Sequence, residues 1–283
     1  MTGSAESIDQ RLQKLEYRVQ RAYSRFVVRT RDASLKRRVD SLLLNGDIEQ
    51  ALELINEVLE PMSSELTEVA QDAVTQESSA LGKMLGLLLL VDLLSPRVIE
   101  MIRRHRYEAL RSIMMMQSDS VRNAVVRAMS EDTGVNSAFW NAIGLSPRLE
   151  RALYRYRKLL EDQKLPKGEI AIMTRSYRDQ LRAVRRKQIA RDVAGRLISE
   201  VQDLVIREAV TSGAIPENRI VRVWQRIPDD RVRDAHDVMQ GQQAGINELF
   251  EDGNGNKLRY PRDPSAPPET RINCRCSLDI KLK

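Results

Sequence analysis

At Ile220 the periodicity of this 283-residue chain changes, and that switch constrains the fold more than any other feature. Before it, apolar residues recur at spacings of three and four, the signature of amphipathic helices. Ile220-Val221-Arg222-Val223-Trp224 instead reads as a short strand. An acidic turn, Pro228-Asp229-Asp230, follows, then a helical segment through His236 that ends near Gly241. A Gly/Asn turn and a Pro-rich loop lead on to Asn273-Cys274-Arg275-Cys276. The expected architecture is mostly α: an N-terminal helical region over 1–143, a helical stalk over 144–215, and a compact α+β module over 216–283.

Composition agrees with helices. Aromatic residues make up only 4% of the chain, too few for a typical sandwich or barrel. The net charge of +6 favours a negatively charged partner such as nucleic acid, beside the plainer reading of a soluble charged surface. Two cysteines in a C-x-C spacing make no disulfide framework, and a bridge between them would be strained, so a reducing cytoplasm is the expected site of synthesis. Met1-Thr2-Gly3-Ser4-Ala5-Glu6 lacks the basic-then-apolar pattern of a signal peptide. The apolar run Met84 to Leu94 is far short of the roughly 20 residues of a spanning helix and carries Asp92. It reads as a buried core helix, and no membrane span is expected.

Along the chain, Ile8, Leu12, Leu15, Val19, Ala22 and Phe26 form a seam over about three heptads, fit to pack internally or against a second copy. Asn45-Gly46 breaks the next helix; Asp47 then caps one whose face is Ile48, Ala51, Leu52, Ile55, Val58 and Leu59, ending at Pro61. Ser95-Pro96 is a cap followed by proline in the first turn. His105, among Arg103, Arg104 and Arg106, reads as part of a solvated face, and Met114-Met115-Met116 as adaptable core packing. Asp132-Thr133-Gly134 and Gly144-Leu145-Ser146-Pro147 are breaks, and Ser146 caps a helix carrying Leu149, Leu153, Tyr156 and Leu160. Beyond Gly168, Arg175, Arg178, Arg182 and Arg185 recur by three and four as one stripe, opposite Tyr177, Leu181 and Val184. Two readings stand, a phosphate-contacting surface or a charged outer face; without interleaved aromatics any DNA contact would be blind to sequence.

In the C-terminal module Val232, His236 and Met239 share a helix face, which turns His236 inward. With Cys274, Cys276 and Asp229 or Asp230 it makes a possible tetrahedral zinc site. The alternative is a module pinned by hydrogen bonds, with the cysteines acting as small buried apolar residues. Asp229 and Asp230 otherwise read as helix caps, and Arg231 and Arg233 as partners for them or for Asp237. Asp252, Asn254 and Asn256 have the first spacings of a calcium loop, but Lys257 stands where glycine is required; Asn254-Gly255 is more simply a hairpin turn.

These residues together resemble the phage Mu F-like, or head morphogenesis, family of minor capsid proteins. The likeness runs from Gly144-Leu145-Ser146-Pro147-Arg148 through Ile189-Ala190-Arg191 and Gly213-Ala214-Ile215. It is strongest at Val223-Trp224-Gln225, Asp229-Asp230-Arg231-Val232-Arg233, His236, Gly241-Gln242, Pro261, Asp263-Pro264, Pro267, Glu269 and Asn273-Cys274-Arg275-Cys276. Ala190-Arg191-Asp192-Val193 stands where the family reads Ala-Arg-Thr-Glu. The resemblance covers about half the chain and leaves the first ~140 residues unassigned. It implies a non-enzymatic, low-copy protein of a tailed-phage head, made in the host cytoplasm and located inside the capsid. Its implied partners are the portal, the major capsid or scaffolding protein and the packaged DNA, with homo-oligomerisation as a further expectation. Two alternatives are carried beside it: an ejected, sequence-independent DNA-binding protein, and a metal-dependent enzyme on nucleic acid using the His236/Cys274/Cys276 cluster.

Overall fold

The computed structural model describes residues 7–226, 232–272 and 274–283. The fold is mostly α with a small α+β module, as the periodicity predicts. Helices α1 (Ile8–Arg29), α2 (Ala33–Leu44), α3 (Ile48–Glu57), α4 (Glu60–Leu85), α5 (Pro96–Ser130), α6 (Val135–Ala142), α7 (Pro147–Asp162) and α8 (Lys167–Thr211) come first. Short elements follow: β1 (Ile220–Gln225), α9 (Asp234–Asp237), β2 (Gln243–Ala244), β3 (Phe250–Glu251), β4 (Lys257–Leu258), α10 (Pro268–Arg271) and β5 (Ser277–Leu282). Among the described residues no helix is long and apolar enough to cross a membrane.

The seam of α1 is internal: Leu15, Val19, Ala22 and Phe26 are buried by the chain itself. Helix α2 stops at Asn45-Gly46 because Gly46 adopts φ +81°, letting its N–H reach Leu43 O and the Asp47 N–H reach Leu42 O. Pro61 sits in the first turn of α4, where its missing N–H costs nothing, so it opens that helix rather than ending α3. Ser95 caps α5 by accepting from the Val98 N–H at 3.3 Å.

The run Met84 to Leu94 corrects the expectation of a core helix. Helix α4 ends at Leu85; Gly86 takes φ +68°, and the Gly86 and Leu87 N–H groups close back on Lys83 O and Gly82 O. Gly82 has its own reason to be glycine, since a Cβ there would lie 2.6 Å from Leu87 O. Beyond this reversal the chain is non-helical to Ser95, with Leu89 buried and Leu88, Leu90 and Leu94 at least 80% exposed. An apolar run without a three-to-four period carries no directional information, and a left-handed glycine overrides leucine's helix preference.

The described chain falls into two compact units built from interleaved segments. One draws on Gln20–Leu66 and Arg106–Ile189, the other on residues up to Val19, Thr67–His105 and Ala190–Lys283, so each takes residues from both sides of Gly144. In the first, Leu145, Leu153 and Leu181 form a cluster with Leu149, Ala152 and Tyr177 packed on it. Asp40 of α2 accepts from Asn136 Nδ2 and Trp140 Nε1 of α6, each at 2.7 Å.

The second unit holds polar pairs deep among its helices. His105 Nδ1 lies 2.8 Å from Glu200 Oε2, both side chains almost wholly buried, which corrects the solvated-face reading. His105 shares its face with Val98, Met101, Ile102 and Ala109, all buried, so helical spacing alone carried the signal; the adjacent arginines masked it. Arg196 donates to His105 O, and Gln202 Nε2 and Arg11 both donate to Glu77. In the module, β1 is the centre of the sheet β2-β1-β5, antiparallel to both, with β5 in register from Ile220↔Leu282 to Gln225↔Ser277. Strands β3 and β4 form the hairpin expected at Asn254-Gly255, Gly255 taking φ +80°. Asp252 closes that loop by accepting from the Asn254 and Asn256 N–H groups at 2.9 and 2.8 Å, which ties the calcium-like spacing into a turn.

Candidate metal centre

Three parts of the module converge on one spot. Strand β1 brings Trp224, the one turn of α9 brings His236, and the segment between α10 and β5 brings Cys274 and Cys276. All four are buried, and Trp224, Cys274 and Cys276 cluster with Met239, Phe250, Leu258, Tyr260 and Leu278. Gly241, at φ +76°, lets the chain turn back so that its N–H reaches Trp224 O at 2.9 Å while the Trp224 N–H reaches Gln242 O at the same distance. The Trp224 indole meets the His236 ring edge-on at 5.9 Å and Phe250 at 5.2 Å. Arg233 donates to Ile272 O and so fastens the start of α9 to the chain entering the cysteine pair; Asp237 pairs with Arg226 instead, at 2.9 Å.

His236 Nδ1 lies 3.6 Å from Cys274 Sγ and 3.7 Å from Cys276 Sγ. A tetrahedral ion with nitrogen at about 2.05 Å and sulfur at about 2.3 Å sets those atoms about 3.6 Å apart. All three ligand atoms lie within 4.8 Å of one another, so His236, Cys274 and Cys276 form a group able to hold a metal ion. The donor set also fits: two sulfurs and an imidazole suit a soft or borderline ion and not magnesium or calcium. Hydrogen bonding from Cys276 holds the Cys274 thiol well below its usual range despite burial, helped by His236 and by the charge of Arg262. Cys276, which supplies that hydrogen bond and is itself buried, is pushed up. One thiolate is thus favoured over two in the metal-free pair. His236 Nε2 has no hydrogen-bond partner. Neither protein-family models, curated proteins nor solved structures match this chain.

Asp229, Asp230, Arg231 and Asn273, named from the sequence as ligand, caps and motif, lie outside the described residues. The arginine stripe does not form one exposed surface. Arg175 is exposed, Arg178 donates to Asn141 Oδ1 at 2.7 Å, and Arg182 gives its guanidinium to Ile143 O and Trp140 O at 2.7–3.0 Å. Burial, with repulsion from Arg178, pushes the Arg182 pKa down to about 10. Arg185 is buried with its Nη2 3.0 Å from Met116 Sδ, while Val184, expected on the packed face, is exposed. Carbonyls freed where α6 ends after Ala142 draw Arg182 inward, a demand that helical spacing does not reveal.

The roles of three residues escaped the sequence reading. Arg222, in mid-strand β1 and 1% exposed, donates to Gly245 O, Glu248 O and Arg259 O at 2.5–3.1 Å and lies over the Phe250 ring. Asp263, fully buried, is gripped by Arg259 through Nε and Nη2 at 3.0 and 3.1 Å. Arg262, also buried, has its Nη1 3.5 Å from Cys276 O. An arginine between valines in a strand is the one signal the sequence offered, for Arg222.

Proposed function

We propose that this chain is a non-enzymatic minor capsid protein of a tailed-phage head, positioned near the portal, whose C-terminal module is locked by one zinc ion on His236, Cys274 and Cys276. The observation that carries the reading is the convergence of Trp224, His236, Cys274 and Cys276, four of the residues on which the family resemblance rests, in one buried nitrogen-and-sulfur cluster. Ligands sunk in an apolar core favour a structural ion over a catalytic one, because substrate needs an open coordination position. When bound, zinc supplies a cross-link between α9 and the segment entering β5. The protein's own residues orient it: Trp224 walls one side of the imidazole, and Arg233 holds the approach of the cysteine segment through Ile272 O. The inward commitment of Arg182 and Arg185 weighs against the reading of an ejected DNA-binding protein.

Two measurements test this. Elemental analysis of the purified chain should find one zinc per chain, lost in His236→Ala and in Cys274→Ser. Quantitative peptide mass spectrometry of particles, with the portal protein as standard, should find a few copies per portal ring in both empty and DNA-filled heads. Absence from particles would sink the capsid reading. Nuclease activity lost in folded Cys274→Ser protein would replace it with the enzyme reading.

A further inference from the structure

Arg262 sits where an arginine is costly. It occupies the third position of the turn Tyr260-Pro261-Arg262-Asp263, closed by the Asp263 N–H on Tyr260 O at 3.1 Å, and it takes φ +65°. That position ordinarily falls to glycine or asparagine, because a Cβ crowds the backbone there. Its guanidinium lies against the bare Cα of Gly195 on α8: a methyl group at Gly195 would stand 2.3 Å from Cζ and 2.6 Å from Nη1. The side chain is 4% exposed. Nη1 reaches only a long contact with Cys276 O, and Nε and Nη2 have no partner.

A buried cation requires a counter-charge. The adjacent carboxylate is taken, since Asp263 binds Arg259, the Ser265 N–H and the Ser265 hydroxyl. Glu16 of α1 feels the charge of Arg262 but is half-buried and pairs with Arg191 at 3.8 Å. Among the described residues no carboxylate lies within ion-pair distance of Arg262. The contact of Nη1 with Cys276 O sets the guanidinium beside the cysteine pair, whose sulfurs lie within its field.

We propose that Arg262 is the built-in counter-ion of the Cys274/Cys276 metal centre, a positioning residue held over the dithiolate by the glycine notch at position 195 of α8. The proposal rests on the metal reading of His236, Cys274 and Cys276. It explains why an L-residue is kept in a left-handed turn and why α8 carries glycine opposite it: the turn aims the charge, and the notch admits it. An ion held by two thiolates concentrates negative charge on sulfur, and the guanidinium offsets that charge where water does not reach.

The test is zinc affinity, measured on the full chain by competition with a chromophoric chelator. Removing a group that supports the ligands from outside costs about 10–100-fold in metal affinity. Arg262→Met should lose that much, and Arg262→Lys, which keeps the charge, should recover most of it. Gly195→Ala leaves the charge in place but fills its notch, and should fall with Arg262→Met. Far-UV circular dichroism with zinc present identifies any variant that fails to fold, and Arg262→Lys against Gly195→Ala then decides the matter. Zinc bound equally by wild type and Arg262→Met would overturn the counter-ion alone, as would equal losses in Arg262→Met and Arg262→Lys. No zinc bound by wild type would overturn the metal reading and this proposal together.

Discussion

Replacing Arg222 with methionine keeps most of the stem's length and apolar burial while removing the guanidinium. Three carbonyl oxygens, of Gly245, Glu248 and Arg259, lose charged donors that now stand 2.5–3.1 Å away. Gly245 O keeps the Glu248 N–H at 3.2 Å. An orphaned buried acceptor costs about 1–3 kcal/mol, so the other two at about 1.5–2 each, with about 1 for the lost bonds to Gly245 O, give roughly 4–5 kcal/mol. Burying methionine in place of a desolvated cation returns about 1 kcal/mol, leaving a net loss of about 3–4 kcal/mol. Asp203, 3.7 Å from Arg222, keeps its 2.8 Å pair with Arg207 and adds little. With a urea slope of about 2 kcal/mol/M, the midpoint should fall by about 1.5–2 M. Urea unfolding followed by the fluorescence of Trp224, in a Trp140→Phe background, reads this directly. Arg222→Lys should fare nearly as badly, because a single ammonium does not span three carbonyls as a planar fork does. A loss below about 1 kcal/mol would refute the assignment of Arg222 as the clamp between β1 and the loops beside it.

Zinc removal by a strong chelator should lower the melting temperature of the wild type and leave that of Cys276→Ser unchanged; equal shifts would count against a shared metal site. Arg182→Met should destabilise by about 2–3 kcal/mol, through the exposed Ile143 and Trp140 carbonyls, without altering DNA affinity in a salt titration; a loss of DNA binding in folded protein would restore the arginine stripe as a surface. Burial raises the Asp263 carboxyl, but Arg259 and Ser265 outweigh it and hold it below its usual range, and Asn256 and Asn254 do the same for Asp252. Depressed folded values mean stability that is complete above the unfolded pKa of about 3.9 and is lost as pH falls through the folded values. Urea midpoints with chelator present should therefore drop below about pH 4, and Asp263→Asn should flatten that drop; stability that rises on acidification would contradict it.

What the sequence disclosed and what it withheld divide along a physical line. Features written within one or two turns of chain were legible: the α1 seam, the Asn45-Gly46 stop, the Ser95-Pro96 start, the Asn254-Gly255 hairpin and the inward face of His236. Each depends on spacing or on one residue's backbone preference. The Met84 to Leu94 run misled because its residues satisfy any buried state, and Gly86 decided the outcome. The fates of His105, Arg182, Arg222 and Arg262 were set by carbonyls, a carboxylate and a glycine that arrive from 23 to 95 residues away. A charge at a helix position names no partner. The cysteines and His236 were legible as a set because few chemistries need that combination; the acid at the helix start offered as fourth ligand, Asp229 or Asp230, lies outside the described residues.

Strand β1 lies between two neighbours that are both made after it. As a ribosome extends the chain, Ile220–Gln225 emerges with five of its six residues destined for burial and neither edge paired. His236 appears soon after, yet Cys274 follows 38 residues later and Cys276 two beyond that. Sheet closure and completion of the His236/Cys274/Cys276 group therefore fall into one late event, completed only when Ser277–Leu282 clears the exit tunnel. Until then a sticky strand and a half-built ligand set wait together. A nascent chain stalled in that window is the form most exposed to chaperones and to aggregation.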